Sequence, residues 1–358
     1  MRKRVVFELT NRCNLSCEHC FSGRHGGGDD LPIEIVRKVL AEGPEFGFRD
    51  AAFTGGDPTV HPRFAEILAA TRDAGWTYGF VTNAWNFETM YARHSDLLKA
   101  VQTITFSLDG AREATHDKLR GMGSFRRVMR AFAICFAEGF PFTVNMVVTR
   151  HNRSELGEMA ELVSRLGSRG LRFAHLMPNL LTTLQGFDLA PWERKLVESE
   201  IADISRALPM KVYMAPGQHG TDLAPCAPLN LQEMNIDCHG NFTKCCHLSG
   251  HGDGVGDGDV MGSLVDLSFA ECYGRLLEDN QRIMDHKRER IRRGEFKDAD
   301  FFPCWYCSLY YRKVGWLRRI PKHSWVPEMW QADAQALAAV RPAHEVKSRA
   351  KTPQDGEA

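Results

Sequence analysis

The stretch that decides the fold is Cys13-Asn-Leu-Ser-Cys17-Glu-His-Cys20, which follows a short apolar run, Val5-Val6-Phe7-Glu8-Leu9. The apolar run predicts a first strand, so three thiols lie on the loop that leaves its carboxyl end. A tetrahedral zinc site uses four protein ligands, and no fourth Cys or His stands nearby at zinc-finger spacing. An iron-sulfur cluster can instead be held by three thiolates, which leaves one iron open to a second molecule.

Composition limits the class of protein. The chain has 358 residues, a formal net charge of +0 and 11 cysteines. This length provides for one large domain and a smaller one, and the balanced charge gives no global field for a nucleic acid or an anionic membrane. The sequence shows no signal-peptide core and no membrane span, which predicts a cytoplasmic protein. An odd number of clustered cysteines fits reduced, metal-binding thiols better than secreted cross-links.

Six strand-like runs alternate with helical patterns. The predicted strands are Val5–Leu9, Asp50–Thr54, Thr77–Thr82, Thr103–Leu108, Phe142–Val148 and Leu171–Leu176. The predicted helices are Ile33–Ala41, Arg63–Ala74, Phe87–Lys99, Phe125–Glu138, Ser154–Leu166 and Pro191–Ala207. This alternation predicts an α/β fold with right-handed crossovers and a parallel sheet, either doubly wound or a partial barrel. Both architectures place ligands at the carboxyl ends of the strands.

Two polar motifs follow predicted strands. Thr54-Gly55-Gly56-Asp57-Pro58 follows the second strand, where two glycines let the backbone approach a ligand and a carboxylate can accept from an ammonium. The alternative is a simple turn between strand and helix. Ser107-Leu108-Asp109-Gly110 ends the fourth strand, and alternation puts Ser107 and Asp109 on one side, where they can hold two ribose hydroxyls. The alternative here is a strand end that runs into an Asp-Gly turn.

Cys-x3-Cys-x2-Cys after a first strand resembles the signature of radical S-adenosylmethionine (radical SAM) enzymes. The resemblance implies a partial (β/α)6 TIM-like barrel in which Cys13, Cys17 and Cys20 hold a 4Fe-4S cluster. It implies that the fourth iron binds the amino and carboxylate groups of S-adenosylmethionine. Reductive cleavage of that cofactor would yield a 5′-deoxyadenosyl radical.

The same resemblance implies a set of cofactor-binding residues. Gly55, Gly56 and Asp57 resemble a Gly-Gly-Glu-Pro motif that contacts the amino group of S-adenosylmethionine, with Asp in place of the commoner Glu. Ser107 and Asp109 resemble a ribose-binding Ser-x-Asp-Gly, and His19 occupies a position that often carries an aromatic residue against adenine. Asn145 and His175 are further candidates for nucleoside contacts, with buried polar core residues as the alternative. These residues are His19, Gly55, Gly56, Asp57, Ser107, Asp109, Asn145 and His175.

A second set of cysteines follows the point near Tyr213 where the strand and helix alternation stops. A predicted β-hairpin with Gly240 at its turn carries one thiol on each side, Cys226 and Cys245, and the distant pair Cys304-x2-Cys307 brings the set to four. Four thiolates can bind zinc or a fully ligated iron-sulfur cluster. The arrangement resembles a twitch domain, the short relative of the SPASM domain, which implies one auxiliary 4Fe-4S cluster. The Gly-x4-Cys spacing selects Cys245 over Cys246 as a ligand.

The remaining segments carry simpler predictions. Cys135 and Cys272 are expected to be core residues, whereas Cys238 and Cys246 are candidate catalytic thiols that could give a hydrogen atom to a carbon radical. Ser249–Asp259 predicts a mobile glycine-rich loop. Lys287–Arg293 predicts a solvated helix face, and the last dozen residues predict disorder.

These observations predict a barrel at 1–212, a β-hairpin-plus-helix twitch domain at 213–312 and an extension at 313–358. The expected function is removal of a hydrogen atom from a peptide, a precursor of a ribosomally made natural product, or from a small natural product. Oxidation or cross-linking is the expected outcome. Epimerisation and a non-enzymatic iron-sulfur or zinc protein are the alternatives.

The expected partners are a reductant such as flavodoxin or ferredoxin and the substrate itself, with no nucleic acid or membrane. No peptide-binding domain is expected before the barrel, since the first strand begins at Val5. A separate protein could present a peptide instead.

Overall fold

The computed structural model describes residues 3–20, 28–249, 258–320 and 322–326. The chain divides into two compact units, Met1–Trp316 and Leu317–Ala358, and both thiol sets lie in the first. Most of the predicted glycine-rich loop and the predicted disordered end lie outside the described residues. Within the described ranges, the helices lack the length and apolar character that a membrane crossing requires.

Ten strands form one sheet in the order β10-β9-β8-β1-β2-β3-β4-β5-β6-β7. The strands are β1 Lys3–Thr10, β2 Phe48–Gly55, β3 Thr77–Thr82, β4 Thr103–Ser107, β5 Phe142–Val148, β6 Gly170–His175, β7 Lys211–Met214, β8 Glu233–Ile236, β9 Asn241–Thr243 and β10 Val260–Ser263. Strands β1 to β7 pair in parallel, and β8 also pairs in parallel with β1. The six predicted strands and the parallel sheet are confirmed.

Ten α-helices accompany the strands in the described residues. They are α1 Ile33–Glu42, α2 Phe64–Asp73, α3 Phe87–Lys99, α4 Glu113–Arg120, α5 Ser124–Glu138, α6 Leu156–Arg165, α7 Leu180–Leu184, α8 Pro191–Ala207, α9 Phe269–Arg292 and α10 Pro303–Tyr310. Short 3-10 helices span Gly43–Phe46, Pro58–Val60, Arg153–Glu155, Asp298–Phe301 and Gly315–Arg319. The crossover helices cover one face of the sheet, as right-handed βαβ units require.

The two faces of the sheet differ in polarity. Phe7 and Leu9 of β1 are fully buried in the core shared with the helices, so the alternation of a strand turns Glu8 to the opposite face. Leu171 and Phe173 of β6 lie in the same core and turn Arg172 the other way. The apolar core therefore lies between sheet and helices, and the inner face of the sheet is polar.

The sheet curls strongly. Burial raises the pKa of Glu233 on β8, and the positive charges of Arg4 and Arg172 counter this effect. Arg172 lies on β6, six strands away in sheet order, which would be roughly 29 Å in a flat sheet with a strand spacing of about 4.8 Å. A charge effect at that separation requires curvature that brings β6 and β8 towards each other, as a partial barrel does.

The β8–β9 hairpin was predicted, but its pairing with β1 was not. Gly240 occupies the turn at φ 80°, and Asp237 Oδ1 accepts hydrogen bonds from the backbone N–H groups of His239 and Asn241, both at 2.9 Å. Asn235 Nδ2 donates to Glu8 Oε1 at 3.1 Å and ties the hairpin to β1. The hairpin thus continues the sheet of the barrel, and the predicted boundary near residue 212 stays a prediction.

The glycines that end β2 allow a close approach between two backbone segments. Gly56 N–H donates to Thr10 O at 2.8 Å, and Asp57 N–H donates to Arg12 O at 3.0 Å. A Cβ atom on Gly55, at φ +136°, would lie 2.3 Å from Thr10 O, and one on Gly56 would lie 2.0 Å from Arg12 O. Residues 55 and 56 must therefore be glycine for the end of β2 to support the start of the Cys13–Cys20 loop.

We expect Gly56→Ala to lower the free energy of unfolding by about 1–3 kcal/mol, because the Arg12 carbonyl cannot move without shifting the loop. Urea denaturation of the metal-free protein measures this change. The control is Gly157→Ala in α6, where a Cβ meets nothing within 4 Å and the free energy of unfolding should rise by about 0.5–1 kcal/mol. Equal stability of the two variants would contradict the proposed reason for Gly56.

Candidate radical SAM site and a second thiol cluster

The loop after β1 brings Cys13, Cys17 and Cys20 together. Cys20 N–H donates to Cys17 O at 3.1 Å, which closes a tight turn, and Leu15 N–H lies 3.5 Å from Cys13 Sγ. Burial raises the pKa of Cys17 to about 11, with smaller contributions from the other two thiols and an opposing one from Arg120. The thiols are therefore close enough to influence one another, and they must lose protons to bind metal.

Asn83, which follows β3, connects this loop to the neighbouring strand ends. Its Nδ2 donates to Asn14 Oδ1 at 2.7 Å and lies 3.7 Å from Cys13 Sγ. Its backbone N–H donates to Asp57 Oδ2 at 2.8 Å. Sequence reasoning did not identify Asn83, which had no distinguishing motif around it.

The carboxylate of Asp57 is buried and fully engaged by the protein. Oδ1 accepts from the backbone N–H of Thr59 at 2.9 Å and from its hydroxyl, and Oδ2 accepts from Thr82 Oγ1 at 2.9 Å and from Asn83. These four donors saturate a carboxylate. The side chain thus has the role given in the alternative interpretation, a turn residue. Any ligand contact at Gly55-Gly56-Asp57 would fall to backbone atoms.

Asp109 anchors a second buried network beside the thiols. Its Oδ1 accepts from Val147 N–H at 2.8 Å, and its Oδ2 accepts from Arg120 Nε and lies 2.9 Å from His19 Nε2. Although burial raises the pKa of Asp109, Arg120 and His19 hold it well below its usual range. Burial opposes the charge of Arg120, but Asp109 and the thiols of Cys17 and Cys20 raise its pKa above the ordinary value. Three protein donors therefore surround the carboxylate predicted to bind ribose.

Several buried polar atoms around this site have no hydrogen-bond partner among the described residues. They include His19 Nδ1 and Asn14 Nδ2 on the cysteine loop, together with Arg12 Nε and His116 Nε2. Ser107, at the end of β4, adds a hydroxyl on a residue whose exposed fraction is only 8%. Unpaired buried polar groups are unfavourable, so these atoms fit a ligand that supplies hydrogen bonds.

Asn145 and His175 lie in different environments. Asn145 on β5 is next to Ser107 in register, and its Oδ1 accepts from Arg172 Nε at 2.8 Å. His175 ends β6 and faces α8, where its Nε2 lies 2.7 Å from Glu198 Oε1. Burial lowers the pKa of His175 well below its usual value and raises that of Glu198 to about 7. Its position favours the alternative interpretation, a buried polar residue with a partner.

The second thiol set converges around one cavity. About 350 Å³ of atom-free space, partly open to solvent, is lined by Cys226, Lys244, Cys245, His247, Cys304 and Cys307 together with apolar residues. Burial raises the pKa of Cys245 and Cys304 well above the usual thiol value and that of Cys307 to about 12. In the described ranges, no three His, Cys, Asp or Glu side chains form a ready single-ion site. Thiolates of a four-iron cluster each bind a different iron and stand further apart, which fits this cavity.

Cys245 and Cys246 differ in their relation to this cavity. Cys245 lines it, whereas Cys246 is absent from its described lining and raises the pKa of Cys245 and Cys304. Cys238 lies in the hairpin turn, at the opposite end of β9 from Cys245. Because β8 runs parallel to β1, this turn lies at the same edge of the sheet as the start of the Cys13–Cys20 loop. Cys135 and Cys272 are core residues, as predicted.

Two lysines beside the cavity are buried. Lys244 Nζ donates to Asp279 Oδ2 at 2.8 Å and also contacts Asn280 Oδ1. Lys287 of α9 is only 3% exposed, and its Nζ donates to Leu223 O at 2.8 Å. The predicted solvated face at Lys287–Arg293 is therefore wrong for Lys287, because α10 packs Tyr306 against it.

The first part of the chain matches a known protein family. Residues 7–163 match the family model of the Radical SAM superfamily. This part of the chain is a radical SAM domain. The matched region contains the Cys13–Cys20 loop, the Gly55–Gly56 turn and Asp109, and it confirms the predicted family and fold class. Members of the superfamily use a 4Fe-4S cluster and S-adenosylmethionine.

Individual relatives place the radical SAM domain in a broad group. An AdoMet-dependent heme synthase of Methanosarcina barkeri is 30% identical over 179 residues, 49% of this chain and 50% of that protein. The chain thus spans about half the length of such relatives. A PqqA peptide cyclase of Gluconobacter oxydans is 26% identical over 320 residues, 84% of each chain. The structure of anSMEcpe with bound AdoMet superposes with a TM-score of 0.61 at 16% identity, covers 78% of this chain and 84% of that one, and shows the same fold.

We expect Asp109 and Arg120 to act as one buried pair. Asp109→Asn and Arg120→Met should each lower the free energy of unfolding of the metal-free protein by about 3–5 kcal/mol, because each leaves the other charge buried without compensation. The double variant should lose much less than the sum of the two. Urea denaturation of all four proteins measures the coupling, with Arg165→Met at an exposed pair as a control that changes little. Additive losses would show that the pair is not coupled.

Proposed function

We propose that the protein is a radical SAM enzyme in which Cys13, Cys17 and Cys20 hold a 4Fe-4S cluster that binds S-adenosylmethionine. The observation that carries the proposal is the placement of three thiols beside two unpartnered buried nitrogen atoms, His19 Nδ1 and Asn14 Nδ2. When bound, the cluster would supply the electron that cleaves the sulfonium and yields a 5′-deoxyadenosyl radical. A reductant such as flavodoxin or ferredoxin would deliver that electron.

The chain's own residues would position the cofactor. The Gly55-Gly56 backbone would face the amino group, and the hydroxyl of Ser107 would reach ribose. Asp109 would act mainly by orienting His19 against the nucleoside and by holding Arg120 near the thiols. The guanidinium of Arg120 would also balance the negative charge of the loaded site. Asn145 is a further proposed nucleoside contact, and His175 is the weaker one because it faces α8.

A second proposed metal centre is one auxiliary 4Fe-4S cluster held by Cys226, Cys245, Cys304 and Cys307. The cavity that these four thiols line supports the proposal, and the lack of a ready single-ion site in the described ranges favours a cluster over a zinc ion. Cys245 is the proposed ligand because it lines the cavity and Cys246 does not belong to the described lining.

A peptide is the proposed class of substrate, specifically a precursor of a ribosomally made natural product. The support is the match to a PqqA peptide cyclase, which extends over 84% of both chains. The shorter match to a heme synthase keeps a small natural product as the second candidate. A cytoplasmic location is proposed, with neither nucleic acid nor a membrane as partner, because the balanced formal charge gives no global field for either.

The proposed outcome is a two-electron oxidation or a cross-link. The radical would take one hydrogen atom from a substrate carbon, and the carbon would then lose one electron to the auxiliary cluster and one proton to a base. The product of simple oxidation would be two hydrogens lighter than the substrate. Epimerisation is the second candidate, favoured by Cys238 in a turn at the same edge of the sheet as the first thiol loop.

Anaerobic reconstitution tests the two metal centres. We expect about eight irons per chain, from two 4Fe-4S clusters. Simultaneous change of Cys13, Cys17 and Cys20 to Ala should leave about four irons and abolish 5′-deoxyadenosine formation, because the SAM-binding cluster is lost. Cys135→Ala and Cys272→Ala are matched controls from the core and should leave both readouts unchanged. Iron that stays near eight in the triple variant would contradict the assignment, and wild-type protein that cleaves no cofactor would favour a non-enzymatic metalloprotein.

Product formation in deuterated water separates oxidation from epimerisation. An epimerase must return a hydrogen atom to the carbon radical, and an exchangeable thiol would carry solvent deuterium. We expect a deuterium-free product at the reacting carbon from wild type, Cys238→Ala and Cys246→Ala, measured by mass spectrometry with a peptide substrate. Solvent deuterium at that carbon, lost in one of the two variants, would replace the oxidative proposal by epimerisation and identify the donor.

A further inference from the structure

Lys287 is a buried cation that has no carboxylate partner in the described part of the chain. It is 3% exposed, its Nζ donates to the Leu223 carbonyl at 2.8 Å, and it lies 5.1 Å from the centre of the Tyr306 ring. A carbonyl and an aromatic face solvate an ammonium without neutralising its charge. Burying such a charge is unfavourable unless an anion compensates it.

Lys287 is held between residues that adjoin two thiols of the second cluster, because Tyr306 precedes Cys307 and Leu223 stands three residues before Cys226. It lines a separate pocket with Asp222 and Asp300, next to the cavity that the thiols line. Burial lowers the pKa of Lys287, and Cys307 and Cys226 oppose this most strongly, ahead of Asp222. The effect is mutual, because Lys287 opposes the rise in the pKa of both thiols. Ionisation of these thiols by metal would therefore place negative charge where the ammonium lacks a partner.

Lys244 makes an informative comparison. Unlike Lys287, it lines the cavity, and its charge is already balanced, since Asp279 Oδ2 lies 2.8 Å from its Nζ. Asn280, which contacts the same ammonium, holds the Cys226 loop through the carbonyls of Pro228 and Leu229 at 3.1 and 3.2 Å. Lys244 therefore shapes the site, whereas Lys287 adds net positive charge to it.

We propose that Lys287 raises the reduction potential of the centre held by Cys226, Cys245, Cys304 and Cys307, so that this centre accepts electrons. The inference rests on the proposed auxiliary cluster. One-electron reduction adds one negative charge to a site whose four thiolates already make it anionic. A fixed cation nearby stabilises the reduced form more than the oxidised form, because the Coulomb energy grows with the charge of the partner.

This role would suit an oxidative reaction. In turnover, the electron taken up would come from the substrate carbon after hydrogen-atom removal, while the proton leaves separately to a base. In a redox titration, the electron comes from a chemical reductant and no substrate is required. Arg194, whose charge acts on Cys304, would add to the effect.

The experiment measures the midpoint potential of the auxiliary centre by redox titration with electron paramagnetic resonance. The background carries Cys13→Ala, Cys17→Ala and Cys20→Ala, so that one cluster remains. We expect Lys287→Met to lower the midpoint potential by at least about 59 mV, which is a tenfold change in the equilibrium constant of one-electron reduction. Lys287→Arg, which keeps the charge, should stay near wild type.

A matched control is Lys38→Met. Lys38 of α1 also donates to two backbone carbonyls, Leu264 O at 2.8 Å and Leu267 O at 2.7 Å, but its charge is not among those acting on the four thiols. Its replacement should leave the potential unchanged. Circular dichroism and iron content check that each variant is folded and loaded. If Lys287→Met fails to load iron, Lys287→Gln, which can still bond to Leu223 O, takes its place in the comparison.

The outcomes separate the two levels of the proposal. A background protein that binds no iron, or binds zinc, would overturn the auxiliary cluster itself. A loaded protein in which Lys287→Met and Lys287→Arg have the same potential as wild type would overturn the role of Lys287 alone. A more negative potential in Lys287→Met, without a change in Lys38→Met, supports it.

Discussion

The ion pair between Asp109 and Arg120 is the interaction on which the first site depends. It joins the end of β4 to α4, and the same carboxylate holds β5 through Val147 N–H and the cysteine loop through His19. Asp109 is fully buried, so its charge could not be kept there without these partners. The conformation of the cysteine loop is thereby coupled to two strands and one helix rather than set by the loop alone.

The two thiol sets differ in how the charge of the nearby buried cation is balanced. Each will become anionic when it binds metal, and each has a buried cation beside it. Arg120 is paired with Asp109, so the carboxylate balances part of its positive charge before any metal binds. Lys287 has no such carboxylate in the described residues, so its charge remains available to the second centre. A centre that binds a cofactor and one that exchanges electrons can differ in potential for this reason.

Sequence reasoning recovered the periodic features and missed the solitary ones. The six strands, the parallel sheet and the hairpin turn at Gly240 follow from alternation and from glycine at a turn. Arg120 was missed because α4 is short and polar and has no apolar stripe. The burial of Lys287 was missed because its neighbours Arg288, Arg292 and Arg293 are exposed, and only the packing of α10 distinguishes it. The inward turn of Asp57 depends on donors from Thr59, Thr82 and Asn83, which no motif predicts.

The saturation of most polar groups at the sheet edge has a consequence for binding. The carboxylate oxygens of Asp57 and Asp109 accept hydrogen bonds from the protein, and Asn83 bridges two loops. These residues therefore fix the geometry of the site and do not bind the ligand directly. Among the described residues, the buried polar atoms there without a partner include His19 Nδ1 and Asn14 Nδ2. A ligand that satisfies them gains hydrogen bonds without having to order the site, because the network already holds it in place. The rigid surround also restricts which ligand can do so, since a molecule with donors or acceptors elsewhere would leave those buried atoms unpaired.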